Sequence, residues 1–369
     1  MKSMFRDPRP RERARVAIVG GGVSGVTAAF RCAQYGYDTT VFEADARLGG
    51  SLWSEQDQGF LIEHGAESFD AGSEAVRALA EDLRLTSEIV PAATARSYGF
   101  DGHSLFVLDP GSAGASGASA SSPLGRSVAT FGSGMGRLVE GLASALATRG
   151  EIHLNTPIKR LEPTTAGWRL HSARGPGGDF DAVVIASDAR TASRLLSELF
   201  GSPALALRSS RSVPIVSVSL AFAREAIAHP LDATGFITGF GVELDDCVKC
   251  SFVSSTFHGR APDGSVLVRI FLRPNEADLE APLELFRERA TKVAMRVLEA
   301  NAAPQRAWEA RWREGFAVLD EEQLRRVALL EYTLGRMPIA LAGTAFHGDG
   351  VDGAVRSADN AARKLRRLC

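Results

Sequence analysis

The stretch GGGVSG has the residue types and the spacing of a phosphate-binding turn. Gly20, Gly22 and Gly25 form a Gly-x-Gly-x-x-Gly pattern that contains Ser24, and Glu43 follows about 20 residues later. Bare glycine backbone can approach a pyrophosphate closely, and a carboxylate can accept hydrogen bonds from ribose hydroxyls. These residues therefore indicate a dinucleotide site, which could hold NAD or FAD.

Such a turn binds phosphate only when a strand and a helix flank it, and the surrounding sequence predicts both. We expect an apolar strand at Val16–Val19, a helix from about Val23 to Tyr35, and a second strand at Thr39–Phe42. Gly20 permits the tight turn, and Gly25 lets the helix lie close to the sheet. The helix N-terminus would direct free N–H groups at the phosphates. This βαβ unit predicts a Rossmann-type domain, and a glycine-rich turn without a ligand is the less favoured alternative.

A second glycine pair supports the same site. Arg47 precedes Gly49 and Gly50, which would supply a cation and a further stretch of bare backbone before a predicted strand at 60–63. We interpret this segment as a second contact with the cofactor phosphates.

The C-terminal segment is expected to reach the same cofactor. A strand at Ile339–Ala342 is followed by a glycine-rich turn from Gly343 to Gly353, which contains Val351, and by a helix that runs to the C-terminus. A helix N-terminus aimed at a redox-active ring stabilises the negative charge that develops on reduction. A terminal helix that only packs on the domain is the alternative.

Composition excludes several classes of function. The 369 residues are 45% hydrophobic and carry a formal net charge of -2, so the chain can bury a large core and offers no basic field for nucleic acid. We found no signal-peptide pattern and no apolar run of membrane-spanning length, and we therefore expect a cytoplasmic protein without a transmembrane segment.

The cysteines and histidines do not predict a metal site. Cys247 and Cys250 fall in a predicted strand, where residues three apart point to opposite faces, so we expect ordinary packing. His64, His258 and His347 each lie beside glycine but have no partner at metal-ligand spacing.

Several segments carry a family resemblance. ADARLGGSLWSEQDQGFLIEHGAESF, which follows Glu43, resembles the second FAD motif of amine oxidases, desaturases and protoporphyrinogen oxidases. TFGSGMGRLVEGLASAL is similar to the helix start that precedes their adenine-contacting strand, and IALAGTAFHGDGVDGAVRSADNAARKL is similar to their closing strand and helix. HPLDATGF and GRAPDG are similar to the substrate sheet of protoporphyrinogen and coproporphyrinogen oxidases. The chain thus resembles this FAD-dependent family.

The resemblance implies further site residues. Ile158, in the strand EIHLNTPIKRLEP, would contact adenine through its backbone. Trp312 would lie along the flavin, and an ordinary sheet tryptophan is the equally plain alternative. Arg96 would pair with a substrate propionate, for which an arginine fork is suited, although a solvated surface arginine is about equally expected. Phe271 would form a wall against a tetrapyrrole, and plain core packing is the alternative.

The resemblance also implies a two-domain α/β (α+β) flavoprotein. We expect a Rossmann-type FAD domain from residues 14–70, 127–200 and 335–369, and a mainly β-sheet substrate domain from residues 201–334. Residues 71–126 correspond to a helical lid lobe that is mostly missing here. A Gly/Ser-rich linker at 109–125 closes this gap, and a short helix and a hairpin remain of the lobe. The open site suggests that a protein partner completes it.

The expected reaction is dehydrogenation of a porphyrinogen-type small molecule, with oxygen as the electron acceptor. No general base stands out in the sequence, which suits chemistry carried by the flavin. Two alternatives remain open: an oxidase or desaturase of a specialised metabolite, and a flavin-binding accessory protein without turnover.

Overall fold

The computed structural model describes residues 13–108, 127–175, 177–239 and 241–368. The predicted linker at 109–125 therefore lies outside the described residues. The strands are β1 (Arg15–Val19), β2 (Asp38–Phe42), β3 (Ser54–Asp57), β4 (Phe60–Glu63), β5 (Phe69–Asp70), β6 (Ile89–Pro91), β7 (Tyr98–Phe100), β8 (Leu105–Val107), β9 (Val128–Phe131), β10 (Gly150–His153), β11 (Ile158–Pro163), β12 (Trp168–Ser172), β13 (Gly178–Phe180), β14 (Ala182–Ile185), β15 (Ser212–Ala223), β16 (Gly235–Thr238), β17 (Cys247–Ser251), β18 (Ser265–Leu272), β19 (Arg306–Ala317) and β20 (Ile339–Leu341).

The helices include two of a single turn. They are α1 (Val23–Gln34), α2 (Glu74–Asp82), α3 (Gly136–Leu146), α4 (Ala189–Phe200), α5 (Ser202–Leu205), α6 (Val253–Thr256), α7 (Leu283–Val297), α8 (Glu321–Leu334) and α9 (Gly350–Arg366).

The first domain is built on a parallel sheet of five strands in the order β10-β2-β1-β14-β20. Its central strands are continuous apolar runs, as expected for a sheet covered by helices on both faces. Val16 and Ile18 of β1 pack with α1, α3 and α9, whereas Ala17 and Val19 pack with α4 and α8. The predicted βαβ unit and Rossmann-type domain are confirmed.

Two local predictions about this domain were wrong. The segment EIHLNTPIKRLEP is divided into two strands, β10 and β11. The chain turns between them at Asn155, which has a φ of 52°. The C-terminal helix begins at Gly350 rather than after Gly353. Gly353 lies inside its first turn, where a Cβ would come within 2.7 Å of the Gly348 carbonyl carbon. Glycine is needed there for close packing rather than to extend the turn.

The second domain contains a seven-stranded sheet in the order β19-β15-β18-β17-β16-β7-β8. One face packs on α7, where Val216 and Val218 of β15 share an apolar cluster with Phe286 and Val293. The predicted hairpin in ARSYGFDGHSLFVLDP forms as β7 and β8, and β7 pairs in parallel with β16. This hairpin is therefore part of the second sheet.

The two cysteines of β17 differ in orientation from the prediction. Cys247 and Cys250 enter the same apolar cluster, because the ladder with β18 shifts register between Cys247 and Lys249. Burial raises the pKa of Cys247 to about 12 and also raises the pKa of Cys250. Both side chains are therefore packed as neutral thiols.

Neither a membrane-spanning helix nor a metal cluster occurs among the residues that the structure describes. No helix within them combines the length and apolar character needed to cross a bilayer. The same residues contain no group of three or more His, Cys, Asp or Glu side chains arranged to hold a metal ion.

Candidate functional site

A cavity of about 380 Å³ lies where the carboxyl ends of β1, β14 and β20 meet the second domain. Its walls include Gly22 after β1, Ser187 and Asp188 after β14, and Gly343 after β20. Ligands of open α/β sheets bind at this carboxyl edge. We refer to this cavity as the first cavity.

The three glycines of the first turn differ in their surroundings. A Cβ on Gly20, whose φ is 107°, would lie 2.6 Å from the Ala186 carbonyl oxygen, and one on Gly25 would lie 1.8 Å from the Gly20 carbonyl oxygen. A Cβ on Gly22 would meet nothing within 4 Å and would point into open space. Gly20 and Gly25 thus serve close backbone packing, whereas Gly22 leaves room for a ligand.

Two helix N-termini line the first cavity. Gly22 is the N-cap of α1 and Asp349 is the N-cap of α9, and neither makes a side-chain capping hydrogen bond to its helix. Free N–H groups and the positive ends of both helix dipoles are therefore available to a ligand. This arrangement favours a negatively charged group in the first cavity.

Glu43, Arg47 and Ile158 are not among the described residues that line the first cavity. The Glu43 carboxylate accepts hydrogen bonds from the backbone N–H groups of Gly21 (2.5 Å) and Asp45 (2.8 Å). Arg47 donates to the Gly50 carbonyl at 2.7 Å and stacks over a tryptophan ring, and burial lowers its pKa. Ile158 is buried at the start of β11.

The second domain supplies the opposite wall. Trp312 of β19 lines the first cavity and donates from Nε1 to the His64 carbonyl oxygen at 2.8 Å. Arg269 of β18 donates to the same oxygen at 2.6 Å and to the Gly65 carbonyl oxygen at 2.7 Å. These bonds fix the segment after β4 against the second sheet. Burial lowers the pKa of the His64 imidazole, which stacks on Trp53 with ring centres 3.9 Å apart.

A second cavity of about 780 Å³ adjoins the first. Both are lined by Gly65, Ala66, Phe271, Phe316 and residues 349–351. The two aromatic rings therefore stand at the boundary between two chambers. A cofactor in the first cavity and a reactant in the second would meet there.

Most of the predicted cofactor residues gather at the first cavity. The lining includes Gly22, Ser24, Gly49, Gly50, Trp312, Gly343 and Val351. Arg96 lies elsewhere: it is half exposed and pairs with Asp232 at 2.5 Å, to which Tyr98 also donates. Arg96 is not among the described residues that line either cavity, and its contact with a substrate stays a prediction.

Sequence reasoning missed several lining residues. Ser187 and Asp188 could have been found, because they follow a predicted parallel strand whose carboxyl end had to reach the same edge. Arg269 and Lys249 line the first and second cavities respectively, and no local sequence pattern marked either of them.

The fold and the site define a two-domain dinucleotide-binding protein. Residues 95–366 match the family model for flavin containing amine oxidoreductases, and residues 18–83 match an NAD(P)-binding Rossmann-like domain. The chain belongs to the flavin containing amine oxidoreductase family. The predicted two-domain α/β flavoprotein fold is confirmed.

Individual relatives are similar over different spans. Coproporphyrinogen III oxidase of Propionibacterium freudenreichii is 28% identical over 240 residues, which cover 64% of this chain and 44% of that protein. A candidate protoporphyrinogen oxidase from Exiguobacterium sp. 255-15 has a TM-score of 0.82 at 19% identity, over 96% of this chain and 99% of that one. Cyclohexylamine oxidase from Brevibacterium oxydans has a TM-score of 0.72 at 14% identity, over 96% of this chain and 99% of that one. These two structures establish the fold alone.

The curated relatives are longer than the matched region. The chain spans less than half the length of the first four that it matches. Their overlap supports membership of the family.

FAD is the cofactor that the family implies, and the residues present fit it. Gly22 leaves open space at a helix N-terminus, so phosphate could approach the backbone there. The N-terminus of α9 lines the same cavity as Phe271 and Phe316. A ring that gains negative charge there would be stabilised by the helix dipole. The first cavity therefore offers an anionic dinucleotide bare backbone at Gly22 and the positive ends of two helices.

Proposed function

We propose that the chain is an FAD-dependent oxidoreductase that dehydrogenates a porphyrinogen-type substrate, with oxygen as the electron acceptor. The observation that carries this proposal is the pair of adjoining cavities with Phe271 and Phe316 at their boundary. The substrate class rests on the names of relatives such as coproporphyrinogen III oxidase and on the quoted sequence resemblance.

The protein's own residues bind and orient the reactants. The backbone at Gly22 and the N-terminus of α1 would hold the phosphates of FAD. The N-terminus of α9 would stabilise negative charge near Phe271 and Phe316. Phe271 and Phe316 present apolar surface to a reactant in the second cavity. Bound FAD supplies the redox chemistry, because it can accept a hydride from a substrate C–H bond and pass the electrons on to oxygen.

Several further expectations belong to this proposal. They are the cytoplasmic location, a place in heme or porphyrin biosynthesis, a protein partner that completes the substrate site, and contact between Arg96 and a substrate propionate. The domain limits 14–70, 127–200 and 335–369 against 201–334 also belong here. All five strands of the parallel sheet lie within the first set of ranges, whereas β7 and β8 of the seven-stranded sheet come from residues 71–126 and α8 packs on the first domain.

A second candidate substrate is an amine, and the charge of the second cavity favours it. Its described walls carry Lys249, Arg356 and Arg363 as cations, against the carboxylates of Glu67, Asp70, Glu74, Asp349, Asp352 and Asp359. Glu67 is paired with Lys249 and Arg269, and Asp359 is paired with Arg31. The other four carboxylates still outnumber Arg356 and Arg363, and this excess would attract a cation and disfavour the propionates of a porphyrinogen. The family to which the chain belongs is also described by amine oxidation.

Anaerobic mixing tests both candidates. FAD-loaded protein is mixed with protoporphyrinogen, coproporphyrinogen, putrescine or cyclohexylamine, and loss of the oxidised flavin absorbance is followed by stopped flow. Rapid bleaching by a porphyrinogen supports the first proposal, whereas bleaching only by an amine replaces it with the second. Retention of FAD without bleaching by any of the four contradicts both and favours an accessory flavoprotein.

A further inference from the structure

Three charged side chains meet where the two cavities adjoin: Arg269 lines the first cavity, and Glu67 and Lys249 line the second. The Glu67 carboxylate is placed between Lys249, whose Nζ is 2.9 Å from Oε1, and Arg269, whose Nη1 is 3.7 Å from Oε2. Ser251 also donates to Oε1 at 2.6 Å. All three charged side chains are at most 15% exposed, so water screens them little.

The three side chains carry one net positive charge. Burial raises the pKa of Glu67, but the neighbouring charges of Lys249 and Arg269 and the hydrogen bonds from Ser251 and Lys249 outweigh it and bring the pKa to about 2. Glu67 is therefore ionised. Burial lowers the pKa of Arg269, yet a guanidinium stays protonated in proteins. One carboxylate thus faces two cations.

The nearby buried pair does not cancel this excess. Glu63 lies 3.1 Å from Arg260, and both side chains are 1% exposed. Because one carboxylate can at most neutralise its own arginine, this pair leaves no negative charge to spare for Lys249 and Arg269.

The excess charge is held at the boundary of the two cavities. Lys249 Nζ lies 4.9 Å and Arg269 Cζ 4.5 Å from the centre of the Phe271 ring, which lines both chambers. Arg269 is anchored on the carbonyl oxygens of His64 and Gly65. Its Nε has no hydrogen-bond partner among the described residues. The cations are therefore fixed in position and need little reorganisation when charge changes nearby.

We infer that the net positive charge of Lys249, Glu67 and Arg269 raises the reduction potential of FAD bound in the first cavity. Reduction by two electrons with uptake of one proton leaves one additional negative charge on the flavin. A fixed positive charge beside a cavity of low dielectric constant stabilises that product relative to the oxidised form. This role is independent of which substrate supplies the electrons.

Lys249→Met tests the inference because it removes one positive charge and leaves the Glu67–Arg269 pair. FAD-loaded protein is reduced anaerobically with dithionite beside a reference dye, and the ratio of reduced to oxidised flavin is read from absorbance. At an effective dielectric constant of about 20, one unit charge some 12 Å away changes this ratio about tenfold. We expect the ratio of reduced to oxidised flavin at a given potential to be tenfold lower. This corresponds to a reduction potential about 30 mV lower for a two-electron couple.

A double variant separates charge from packing. The double variant Lys249→Met, Glu67→Gln retains only the charge of Arg269, so its net charge equals that of the wild type. The ratio of reduced to oxidised flavin should therefore return to within about twofold of the wild type. Glu67→Gln alone adds one net positive charge and should raise the ratio about tenfold, which gives a second test if Lys249→Met fails to fold. Lys292→Met, on the exposed side of α7, is the control and should change nothing.

Three results would overturn the inference. One is an unchanged potential in folded, FAD-loaded Lys249→Met. The second is a flavin reduction potential in the double variant that is as low as in Lys249→Met alone, which would assign the effect to lost packing. The third is an unchanged potential in Glu67→Gln. Because dithionite supplies the electrons, none of these outcomes depends on the substrate proposal.

Discussion

At the scale of single residues, the glycines of the first turn have two separate roles, close backbone packing and room for a ligand. Gly20 and Gly25 are required by neighbouring backbone, which a Cβ would overlap. Gly22 faces the first cavity with free space before it. Substitution at Gly22 should therefore affect ligand binding and leave folding largely unchanged.

Gly22→Val is expected to weaken FAD binding at least about tenfold while the apo-protein keeps its melting temperature within a few degrees. The added side chain would occupy the space where phosphate must reach the backbone. Isothermal titration with FAD and thermal unfolding of the apo-protein measure the two effects. Gly132→Val is the matched control, because Gly132 is exposed and its Cβ would make only ordinary contacts beyond 3.5 Å. Wild-type FAD affinity in Gly22→Val would contradict the phosphate-contact interpretation.

At the scale of elements, the start of α9 depends on a close crossing within its own segment. Gly348, with a φ of 66°, approaches Gly353 so closely that a Cβ on either residue would lie within 3.0 Å of the other. This contact turns the chain after β20 and directs the helix N-terminus into the first cavity. The geometry of the turn thus determines where the helix dipole points.

Gly353→Ala should destabilise the protein by about 1–3 kcal/mol, since the new methyl group meets backbone that cannot move aside. FAD affinity should fall as well, because the turn carries lining residues of the first cavity. Gly141→Ala, inside α3, is the control: its Cβ would lie 3.0 Å from Leu85 Cδ1, the end of a flexible side chain. There, the gain in helix propensity of up to about 1 kcal/mol offsets the contact. Equal stability of the two variants in denaturant unfolding would disprove the crossing argument.

At the scale of the whole molecule, a buried ion pair joins the two domains. Arg260, from the second domain, lies 3.1 Å from the Glu63 carboxylate and also donates to Thr130 Oγ1 and the Phe131 carbonyl oxygen. Glu63 also accepts a hydrogen bond from the Met135 backbone N–H before α3. Burial raises the pKa of Glu63 even though Arg260 opposes that rise. The pair therefore ties β4 and the start of α3 to the second domain.

Arg260→Met is expected to lower the free energy of unfolding by about 3–5 kcal/mol, because Glu63 would be left buried without its counter-charge. Adding Glu63→Gln should recover a large part of this loss, since the uncompensated charge is then gone. Urea unfolding measures both variants. Arg160→Met removes an exposed pair with Glu162 and should change stability by less than about 0.5 kcal/mol. A double variant no more stable than Arg260→Met would argue for lost hydrogen bonds instead of the unpaired charge.

The sequence by itself determined the elements whose signals are local. The first βαβ unit, the hairpin at 98–107 and the glycine that faces the cofactor cavity follow from apolar periodicity and turn chemistry within a few tens of residues. The family resemblance extended this local reading to the two-domain fold and to FAD.

Only the tertiary structure decided which distant residues meet. Lys249 and Glu67 are 182 positions apart, and their pairing depends on how the second sheet docks against the segment after β4. The partner of β7 and the pairing of Arg96 with Asp232 likewise depend on long-range contacts. Long-range contacts of this kind leave no periodic trace in the chain, because each partner is selected by packing and charge complementarity after the local elements have formed.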